Sequence, residues 1–282
     1  MTTQPAPLTW DVYVTGLEPT ASDDPPPGAQ QWMWSPTSAT LISGQRDAVL
    51  IDALLAHQAA DLADWIAASG KNLTAVYVTH GHGDHWFGLS VILKRFPQAR
   101  AVALPAVVEA MRQGSTSEVL ALWNGLFPDK IPEDFVLADP LPDRSIELEG
   151  HELVAVPLGH SDTDDTSCLH VPEVGLVVGG DAVYNDVHQY LRESTPEGRQ
   201  EWVAALDTIA SLSPRHVIAG HQRAGRPDGP EILEETRQYV RDFDRIVDRT
   251  ERARELYDHM LAIYPDRLNP SMLWWSARTL KP

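Results

Sequence analysis

The chain has 282 residues, 43% of them hydrophobic, and no apolar run long enough to cross a bilayer, so it is predicted to be a globular protein with a sizeable core. Its formal net charge is -18, from 40 acidic and 22 basic residues, and such a charge repels phosphate backbones and anionic lipid head groups. The composition therefore argues against nucleic acid and membranes as partners.

We expect one domain over residues 1–282, because no linker-like or low-complexity stretch divides the chain. The first residues, MTTQPAPLTWDVYV, lack the basic and apolar regions of a secretory signal, so a cytoplasmic protein is expected. Cys168 is the only cysteine, and the apolar stretch CLHV predicts that it lies in the core. A single cysteine excludes an internal disulfide, which is typical of a reducing compartment.

The first half of the chain predicts a strand, helix, strand unit followed by a second helix and another strand. The apolar runs at 48–52 and 75–78 are typical of strands. Between them, apolar residues recur at helical spacing and the pattern stops at Gly70, as in a helix with a glycine terminator. The same spacing predicts a helix just past His85, and AVALP (101–105) predicts the next strand.

The second half of the chain begins after a segment of weaker periodicity, 113–145, which predicts a partly helical insertion of the kind that can cover a site. The β-rich runs SIELEG, HELVAVPLGH and VGLVVGGD follow, separated by glycine turns. We then expect a helix at about 200–212, a strand at 216–221 and a helical extension at 230–282 that begins with one long helix over 230–263. Alternating strands and helices predict an α/β fold in which helices cover the sheets.

The stretch THGHGDHWFG crowds potential metal ligands into one turn directly after a predicted strand. Imidazole nitrogen and carboxylate oxygen are ligands of divalent ions of borderline softness. Alternate residues of an extended loop point the same way, so His80 and His82 are expected to face one ion. Asp84 and His85 follow where the chain begins to coil, and are expected to face a neighbouring position. The spacing therefore suits a pair of ions held close together.

Three further residues with suitable side chains follow predicted strands in the second half: His160 after VPLG, Asp181 after VVGG and His221 after VIAG. The carboxyl ends of adjacent strands in one sheet lie close in space, so residues far apart in sequence are expected to line one pocket.

These seven residues, in this order and over about residues 40 to 225, resemble the ligand set of the metallo-β-lactamase-fold hydrolases. The resemblance implies a four-layer αβ/βα sandwich with the metals at one edge between two sheets. It also implies two divalent ions, Zn²⁺ first, with Mn²⁺ or Fe²⁺ as alternatives. The implied ligands are His80, His82 and His160 for the first ion, Asp84, His85 and His221 for the second, and Asp181 as the bridge.

Asp52, at the end of the strand 48–52, matches an acid that recurs in this family. The resemblance implies that it accepts a hydrogen bond from a ligating histidine and so fixes the orientation of the imidazole. The alternative is an acid that stabilises a turn at the end of the strand.

Tyr184 stands three residues after Asp181, a spacing similar to that of the N-acyl-homoserine lactonases of the same superfamily. In them the phenol lies beside the metals and contacts the carbonyl region of the substrate, so Tyr184 is the candidate for that role. A tyrosine that packs behind the site is the alternative. The chain departs from the lactonases at 161–167, where SDTDDTS replaces their Pro-Gly-His turn. This acidic run is either a solvated turn or, through Asp164 and Asp165, a brace for the ligand loop.

Aromatic residues are candidates for the wall of a substrate pocket. Trp32, Trp34, Trp86 and Phe87 are suited to contact an acyl or aromatic group, although core packing explains them equally well. His188 and Tyr190 follow Asp181 closely enough to reach the rim of a pocket. Trp274 and Trp275 are expected to pack against the domain or a partner.

The chemistry expected from this constellation is hydrolysis. Two ions about 3.5 to 4 Å apart share a water molecule, lower its pKa and polarise the scissile group. Asp84, Asp181 and Tyr184 are the predicted catalytic residues of a dinuclear metal hydrolase that attacks the ester or lactone carbonyl of a small molecule. The alternatives are a thioesterase, a phosphotriesterase-like enzyme, a β-lactamase or a non-catalytic metal-bearing module. The carboxy-terminal helix and paired tryptophans allow a homodimer.

Overall fold

The computed structural model describes residues 6–132 and 134–282, so residues 1–5, on which part of the expectation about a secretory signal rests, lie outside the described residues. In this part of the chain, every helix is too short or too polar to cross a membrane. The strands β1 to β15 are, in order, Thr9–Val14, Glu18–Pro19, Met33–Trp34, Ser38–Ser43, Asp47–Ile51, Asn72–Tyr77, Arg100–Ala103, Asp139–Pro140, Ser145–Leu148, His151–Gly159, Thr166–Val171, Leu176–Val178, Tyr184–Asn185, His216–Ile218 and His221–Gln222. The helices α1 to α9 are, in order, Ala59–Ala68, Gly83–Trp86, Leu89–Arg95, Pro105–Gly114, Ser117–Leu126, Pro196–Ser211, Glu231–Val247, Ala253–Ile263 and Pro270–Leu280.

The first large sheet has the strand order β1-β4-β5-β6-β7-β8. β1, β4 and β5 pair antiparallel, whereas β5 to β8 pair parallel. The predicted strand, helix, strand unit is present as β5, α1 and β6. Gly70, at φ 70°, adopts the left-handed conformation that commonly follows a helix and that glycine tolerates. This unit brings the ends of β5 and β6 side by side.

The second large sheet has the strand order β14-β12-β11-β10-β9. Its strands pair antiparallel except for β12 and β14, which are parallel. The β10–β11 pairing shifts its register between Pro157 and Gly159, which leaves Leu158 as a bulge. The chain therefore leaves β10 on an altered course just before His160.

The two sheets pack face to face. The side chains of β11, which point alternately to the two faces of the second sheet, show what lies on each face. Leu169 belongs to a core cluster that also includes residues of the first sheet and of α1. Its neighbour Cys168 belongs to a second cluster with residues of α6 and α7. Successive side chains of a strand point to opposite faces, so the second sheet lies between the first sheet and these helices. The α/β fold and the four-layer αβ/βα sandwich are thereby confirmed.

The single long helix predicted over 230–263 is wrong, because the structure contains two helices, α7 and α8, separated by residues 248–252. The hydroxyl of Thr250 donates a hydrogen bond to the carbonyl of Ile246, and Arg252 is extended at φ -124° and ψ 145°. A side chain that hydrogen-bonds a helix carbonyl competes with continuation of the helix. The break lets α8 pack on α9.

The segment 113–145 contains α5 and the short strand β8, in agreement with its expected partly helical character. That it is an insertion, and that residues 1–282 form one domain, stay predictions.

The strands β5, β6, β12 and β14 all end at the edge where the two sheets meet. There, Ser167 N donates a hydrogen bond to Thr79 O at 3.0 Å, and Ser38 N donates one to Gly220 O at 2.8 Å.

Candidate metal centre

The loop that follows β6 carries the motif with three histidines. His82 is extended, at φ -70° and ψ 137°, and the short helix α2 begins at Gly83. The side chains of His80 and His82 therefore precede the coil, whereas those of Asp84 and His85 lie within it. Because of this change of conformation, the two pairs of side chains point in different directions.

A first cluster of potential ligands lies on one side of this loop. One nitrogen or oxygen atom of each member lies within 4.8 Å of the others. The Asp162 Oδ2 atom is 2.7 Å from His82 Nδ1 and 3.7 Å from His80 Nε2. The members of the first cluster are His80, His82, Asp162 and Asp181.

A second cluster, defined by Asp84, His85 and His221, lies beside the first. Asp181 reaches both clusters. Its Oδ1 is 3.1 Å from His85 Nε2, and its Oδ2 is 3.0 Å from His221 Nε2 and 3.8 Å from His80 Nε2. Asp181 therefore occupies the position of a residue that bridges two sites.

His160 does not join either cluster, contrary to the prediction that it stands beside His80 and His82. Its Nδ1 lies 2.7 Å from Asp164 Oδ1, and its Nε2 lies beside Gly198, where an added Cβ would come within 2.7 Å. This Nε2 is buried and forms no hydrogen bond with any described residue. Asp162, two residues later, takes the place expected for His160. The bulge before Gly159 redirects the chain, so the first polar residue after β10 does not reach the sheet edge.

Asp162 is a member of the first cluster that the sequence interpretation missed, because the acidic run 161–167 indicated a turn or a brace. The run is not a uniformly solvated turn: Asp164 braces the loop through the Nδ1 atom of His160, and Asp162 lies in the first cluster. Asp162 is fully buried, whereas the side chain of Asp164 is 86% exposed. The signal in the sequence was a second potential ligand only two positions beyond His160.

Hydrogen bonds to the ring nitrogens that face away from the clusters orient His85 and His221. His85 Nδ1 lies 2.8 Å from Asp52 Oδ2, and His221 Nδ1 lies 3.0 Å from Pro36 O. If each Nδ1 carries the proton, each Nε2 presents a lone pair to the cluster, as metal-binding histidines generally do.

Asp52 extends this support to His80 through Thr79. The carboxylate of Asp52 accepts hydrogen bonds from Thr79 N and Thr79 Oγ1, both at 2.9 Å, and Thr79 Oγ1 lies 2.9 Å from His80 Nδ1. Asp52 itself adopts a positive φ of 62°, a conformation that aspartate tolerates better than most residues. One buried acid therefore orients histidines of both clusters.

The ring of His82 has the opposite orientation, with Nδ1 and not Nε2 facing the first cluster. Its Nδ1 faces Asp162, and its Nε2 lies 3.4 Å from Glu193 Oε1. Glu193 also accepts hydrogen bonds from Tyr190 Oη at 2.9 Å and from Thr163 Oγ1 at 2.8 Å. Nothing in the sequence interpretation indicated Glu193, since its neighbours in space come from three separate segments.

Two polar groups from residues 34–37, which lead from β3 into β4, hold Asp84. The indole Nε1 of Trp34 donates a hydrogen bond to Asp84 Oδ2 at 3.1 Å, and Thr37 Oγ1 donates one to the same oxygen at 3.3 Å. Trp34 therefore contacts the second cluster directly and also lines the adjacent cavity.

The donor atoms that converge between the clusters fit divalent cations. Six such atoms in and beside the clusters are buried and form no hydrogen bond with any described residue: His80 Nε2, His82 Nε2, His85 Nε2, His160 Nε2, Asp162 Oδ2 and Asp181 Oδ1. Leaving a buried polar atom without a partner costs about 1–3 kcal/mol, more when it is charged. A concentration of such atoms in one place is explained by cations that coordinate them.

The ionisation of the histidines agrees with a site that attracts positive charge. Burial and the neighbouring His85 lower the pKa of His80 to about 3, which keeps its imidazole neutral. Burial also disfavours a charged His85, but the carboxylates of Asp181 and Asp84 outweigh it and raise the pKa of His85 well above its ordinary value. The carboxylates thus stabilise a cation at the second cluster, whether a proton or a metal ion.

A cavity of about 440 Å³ opens onto the clusters. Its wall is largely aromatic and aliphatic: Trp34, Val119, Leu122, Trp123, Leu126, Tyr184, Tyr190, Met272 and Trp275. Polar residues at the cavity are His82, Asp84, Asp181, His221, Glu118, Arg192, Glu193 and Ser35. Helix α5 supplies much of the apolar wall, so the segment 113–145 covers the site.

The aromatic candidates divide between this cavity and the core. Trp34 lines the cavity, whereas Trp32, Trp86 and Phe87 are buried in the core beside it. Trp275 also lines the cavity, which the expectation of plain packing for the paired tryptophans did not anticipate.

Of the residues predicted at the rim, Tyr190 lines the cavity and His188 does not. His188 is fully buried, and its Nδ1 lies 2.9 Å from Tyr239 Oη. Tyr184 also lines the cavity, and its hydroxyl donates a hydrogen bond to Asp181 Oδ2 at 3.2 Å. Burial and the charge of Asp181 raise the pKa of Tyr184 well above its ordinary value, so the phenol keeps its proton.

Comparison with known proteins agrees with this geometry. The sequence profile described as the metallo-beta-lactamase superfamily matches residues 32–221, and comparison with curated proteins gave no match. A metallo-beta-lactamase family protein from Thermus thermophilus is 19% identical, with a TM-score of 0.62, over 95% of this chain and 91% of that chain. A metallo-beta-lactamase from Pontibacter korlensis is 17% identical, with a TM-score of 0.57, over 82% of this chain and 100% of that chain.

A metallo-beta-lactamase from Pseudomonas aeruginosa, solved in a mono-zinc form, is 18% identical, with a TM-score of 0.55, over 84% of this chain and 92% of that chain. At these identities the structures establish a shared fold. The sequence profile covers more than half of the chain, from β3 to the second-cluster residue His221. The chain therefore belongs to the metallo-β-lactamase superfamily.

Proposed function

We propose that this protein is a dinuclear metal-dependent hydrolase that cleaves an ester or lactone whose acyl group is apolar. The observation that carries the proposal is the position of Asp181, whose two oxygens lie near His85 and His221 respectively and which lines a largely apolar cavity. The first and second clusters would hold the two divalent ions, and Asp181 would contact both.

When bound, the two ions would supply Lewis acidity and a water molecule whose pKa is lowered towards neutrality. The chain itself supplies orientation and a proton donor. Asp52 holds the imidazole of His85, and Trp34 and Thr37 hold the carboxylate of Asp84. Because these groups are already hydrogen-bonded, the ligands lose little freedom when the ions bind.

Tyr184 is the proposed partner of the substrate oxygen. Its hydroxyl lines the cavity next to Asp181 and remains protonated, so it can donate a hydrogen bond to the negative charge that develops on a carbonyl oxygen. Such a donor accelerates a reaction only if its bond strengthens in the transition state. A carbonyl substrate is therefore favoured by a phenol in this place.

The apolar wall supports an acyl or aromatic group as the part of the substrate that is bound. Trp34, Trp123 and Leu122 present apolar surface to the cavity. Each methylene group buried there contributes roughly 0.8 kcal/mol, or about a fourfold gain in affinity. The cavity volume of about 440 Å³ sets an upper limit on the chain length that benefits.

The test uses the full chain loaded with Zn²⁺, Mn²⁺ or Fe²⁺ and a panel of lactones, aryl esters, thioesters, phosphotriesters and a cephalosporin. We expect hydrolysis of lactones or esters, with kcat/KM rising up to about fourfold per methylene over a homologous series until the cavity is filled. Asp181→Ala is expected to remove nearly all turnover. Turnover restricted to phosphotriesters or to the cephalosporin would refute the ester proposal. Two bound ions without any turnover would identify a binding module.

A further inference from the structure

The wall of the cavity carries one arginine, Arg192, and no lysine among the described residues. Its side chain is partly buried, and its guanidinium carbon lies 4.8 Å from the centre of the Trp275 ring, which is a cation–π contact. Within the part of the chain that the structure describes, no carboxylate lies within 4.0 Å of its guanidinium nitrogens. The cavity therefore contains a positive charge that stacks on an aromatic ring and has no acidic partner.

The backbone on both sides of Arg192 is fixed. Leu191 N donates a hydrogen bond to Ser276 Oγ of helix α9 at 2.9 Å, and Ser194 Oγ donates one to Leu191 O at 2.8 Å. Leu191 and Ser194 are both buried. Because the turn is held against α9, which also carries Trp275, the guanidinium is positioned before any ligand binds.

The negative charges at the cavity wall are stabilised by groups other than Arg192. Glu193 accepts hydrogen bonds from Tyr190 and Thr163. Glu118 is exposed and lies in the first turn of α5, where the helix N-terminus stabilises a negative charge. The remaining carboxylates at the cavity belong to the two metal clusters. Arg192 is therefore the charged group of the wall that is available to an anionic ligand.

A row of aromatic rings connects the first cluster with Arg192. The ring centre of Tyr190 lies 5.5 Å from that of His82 and 5.5 Å from that of Trp275, over which Arg192 lies. An acyl chain that extends from the first cluster along these rings would bring its far end to the guanidinium. The planar fork of N–H groups on a guanidinium matches the two oxygens of a carboxylate.

We infer that Arg192 is a specificity-determining residue that binds a carboxylate at the far end of the acyl group, so that the substrate is an ester or lactone with an anionic acyl chain. A carboxylate is favoured over a phosphate because the net charge of -18 repels the more highly charged group more strongly. The inference rests on the proposed function for the bond that is cleaved, but binding of the carboxylate requires no turnover.

The first experiment measures binding to the metal-loaded, full-length protein by calorimetry. The probes are anilides of straight-chain dicarboxylic acids, with a free carboxylate at the far end, and the same anilides with that end capped as an uncharged N-methylamide. At the best chain length, we expect the free carboxylate to bind at least about tenfold more tightly than the capped probe, because it gains a charge-assisted hydrogen bond. This ratio is expected to decrease as ionic strength rises.

Arg192→Gln is expected to reduce the ratio to within about twofold of unity, and Arg192→Lys to give an intermediate ratio, because lysine keeps the charge and lacks the planar fork. Arg95→Gln is the matched control. Arg95 also lies over an aromatic ring, that of Phe96, but it does not line the cavity, so the ratio is expected to stay at the parent value. Circular dichroism and thermal unfolding establish that each variant is folded.

The second experiment measures kcat/KM for the aryl esters of the same acids, free or capped at the far end. We expect Arg192→Gln to lower the ratio of the free to the capped ester by at least about tenfold, mainly through KM, because the contact is made equally in the ground state and the transition state.

Equal affinities of the two probes for the parent would overturn the inference. A preference for the carboxylate that persists in Arg192→Gln would also overturn it, since the carboxylate would then bind elsewhere, at the metal ions above all. An Arg192-dependent preference for a phosphonate-ended probe over the carboxylate would refute the assignment of a carboxylate. If the probes behave as expected but no ester or lactone is hydrolysed, the proposed function fails and this inference stands.

Discussion

Asp52 Oδ2 lies 2.8 Å from His85 Nδ1, on the side of the imidazole that faces away from the second cluster. The same carboxylate also accepts both hydrogen bonds of Thr79. Because Asp52 directly follows β5 and the histidine motif follows β6, the parallel pairing of these two strands creates the contact. An acid 33 positions away thus positions a metal-facing ring.

Replacing Asp52 with alanine is expected to weaken binding of the second ion by about ten- to a hundredfold, because the imidazole of His85 loses the partner that fixes its orientation and tautomer. The measurement is the dissociation constant of each ion for the variant. Asp47→Ala is the matched control, since Asp47 begins the same strand and its side chain contacts Asn72 instead. Equal effects of the two substitutions would contradict a positioning role for Asp52.

Tyr184→Phe removes one hydroxyl from a residue that lines the cavity. We expect kcat to fall by roughly ten- to a thousandfold, with two ions still bound and KM little changed, because the phenol acts on charge that develops in the transition state. Tyr77→Phe is the control, since Tyr77 is also buried but its hydroxyl contacts Ser167 away from the cavity. Unchanged kcat in Tyr184→Phe would leave Tyr184 with only a packing role.

Leu122 is 41% exposed and lines the cavity. Leu122→Ala is expected to lower kcat/KM for the longest acyl substrates by about three- to tenfold, and to affect short ones little, because it removes apolar surface that only a long acyl group covers. Its exposure predicts a small effect on stability. Leu17→Ala, at 40% exposure and away from the cavity, is expected to change neither quantity. A uniform loss over all chain lengths would argue against acyl contact.

Asp228 provides a prediction about stability that is independent of the metal centre. Burial raises the pKa of its carboxyl from the ordinary 3.8 to about 6. The folded state then keeps a proton that the unfolded chain has lost, so the free energy of unfolding decreases as the pH rises from about 4 to about 6, and remains lower above pH 6.

Asp228→Asn is expected to remove that decrease. The shift of about two pKa units corresponds to about 3 kcal/mol, which partial exposure reduces to about 1 kcal/mol. The variant should therefore be more stable than the parent at pH 8 by about 1 kcal/mol and equally stable at pH 4, as measured by urea unfolding at both values. A gain of the same size at pH 4 would show that the carboxyl charge is not its cause.

Local sequence was sufficient for those parts of the fold that depend on side-chain type and periodicity. The unit of β5, α1 and β6 follows from apolar spacing and the glycine at position 70, and the burial of Cys168 follows from its apolar neighbours. The break between α7 and α8 was not apparent, because apolar spacing indicates neither the hydrogen bond from Thr250 to Ile246 nor the packing of α8 on α9. Propensity describes each segment alone, whereas packing between segments decides where a helix ends.

The sequence by itself determined which side chains were available to bind metal, and it predicted six of the seven residues that lie in the two clusters. It did so because residues at the ends of neighbouring strands necessarily lie at one sheet edge. Only the tertiary structure placed Asp162 beside His80 and His82, in the chain that leaves β10 after a one-residue bulge. The tertiary structure also decided that Trp275 and α5 form part of the cavity wall. Contacts between distant segments produce no periodic pattern in the sequence, so they could not be predicted from it.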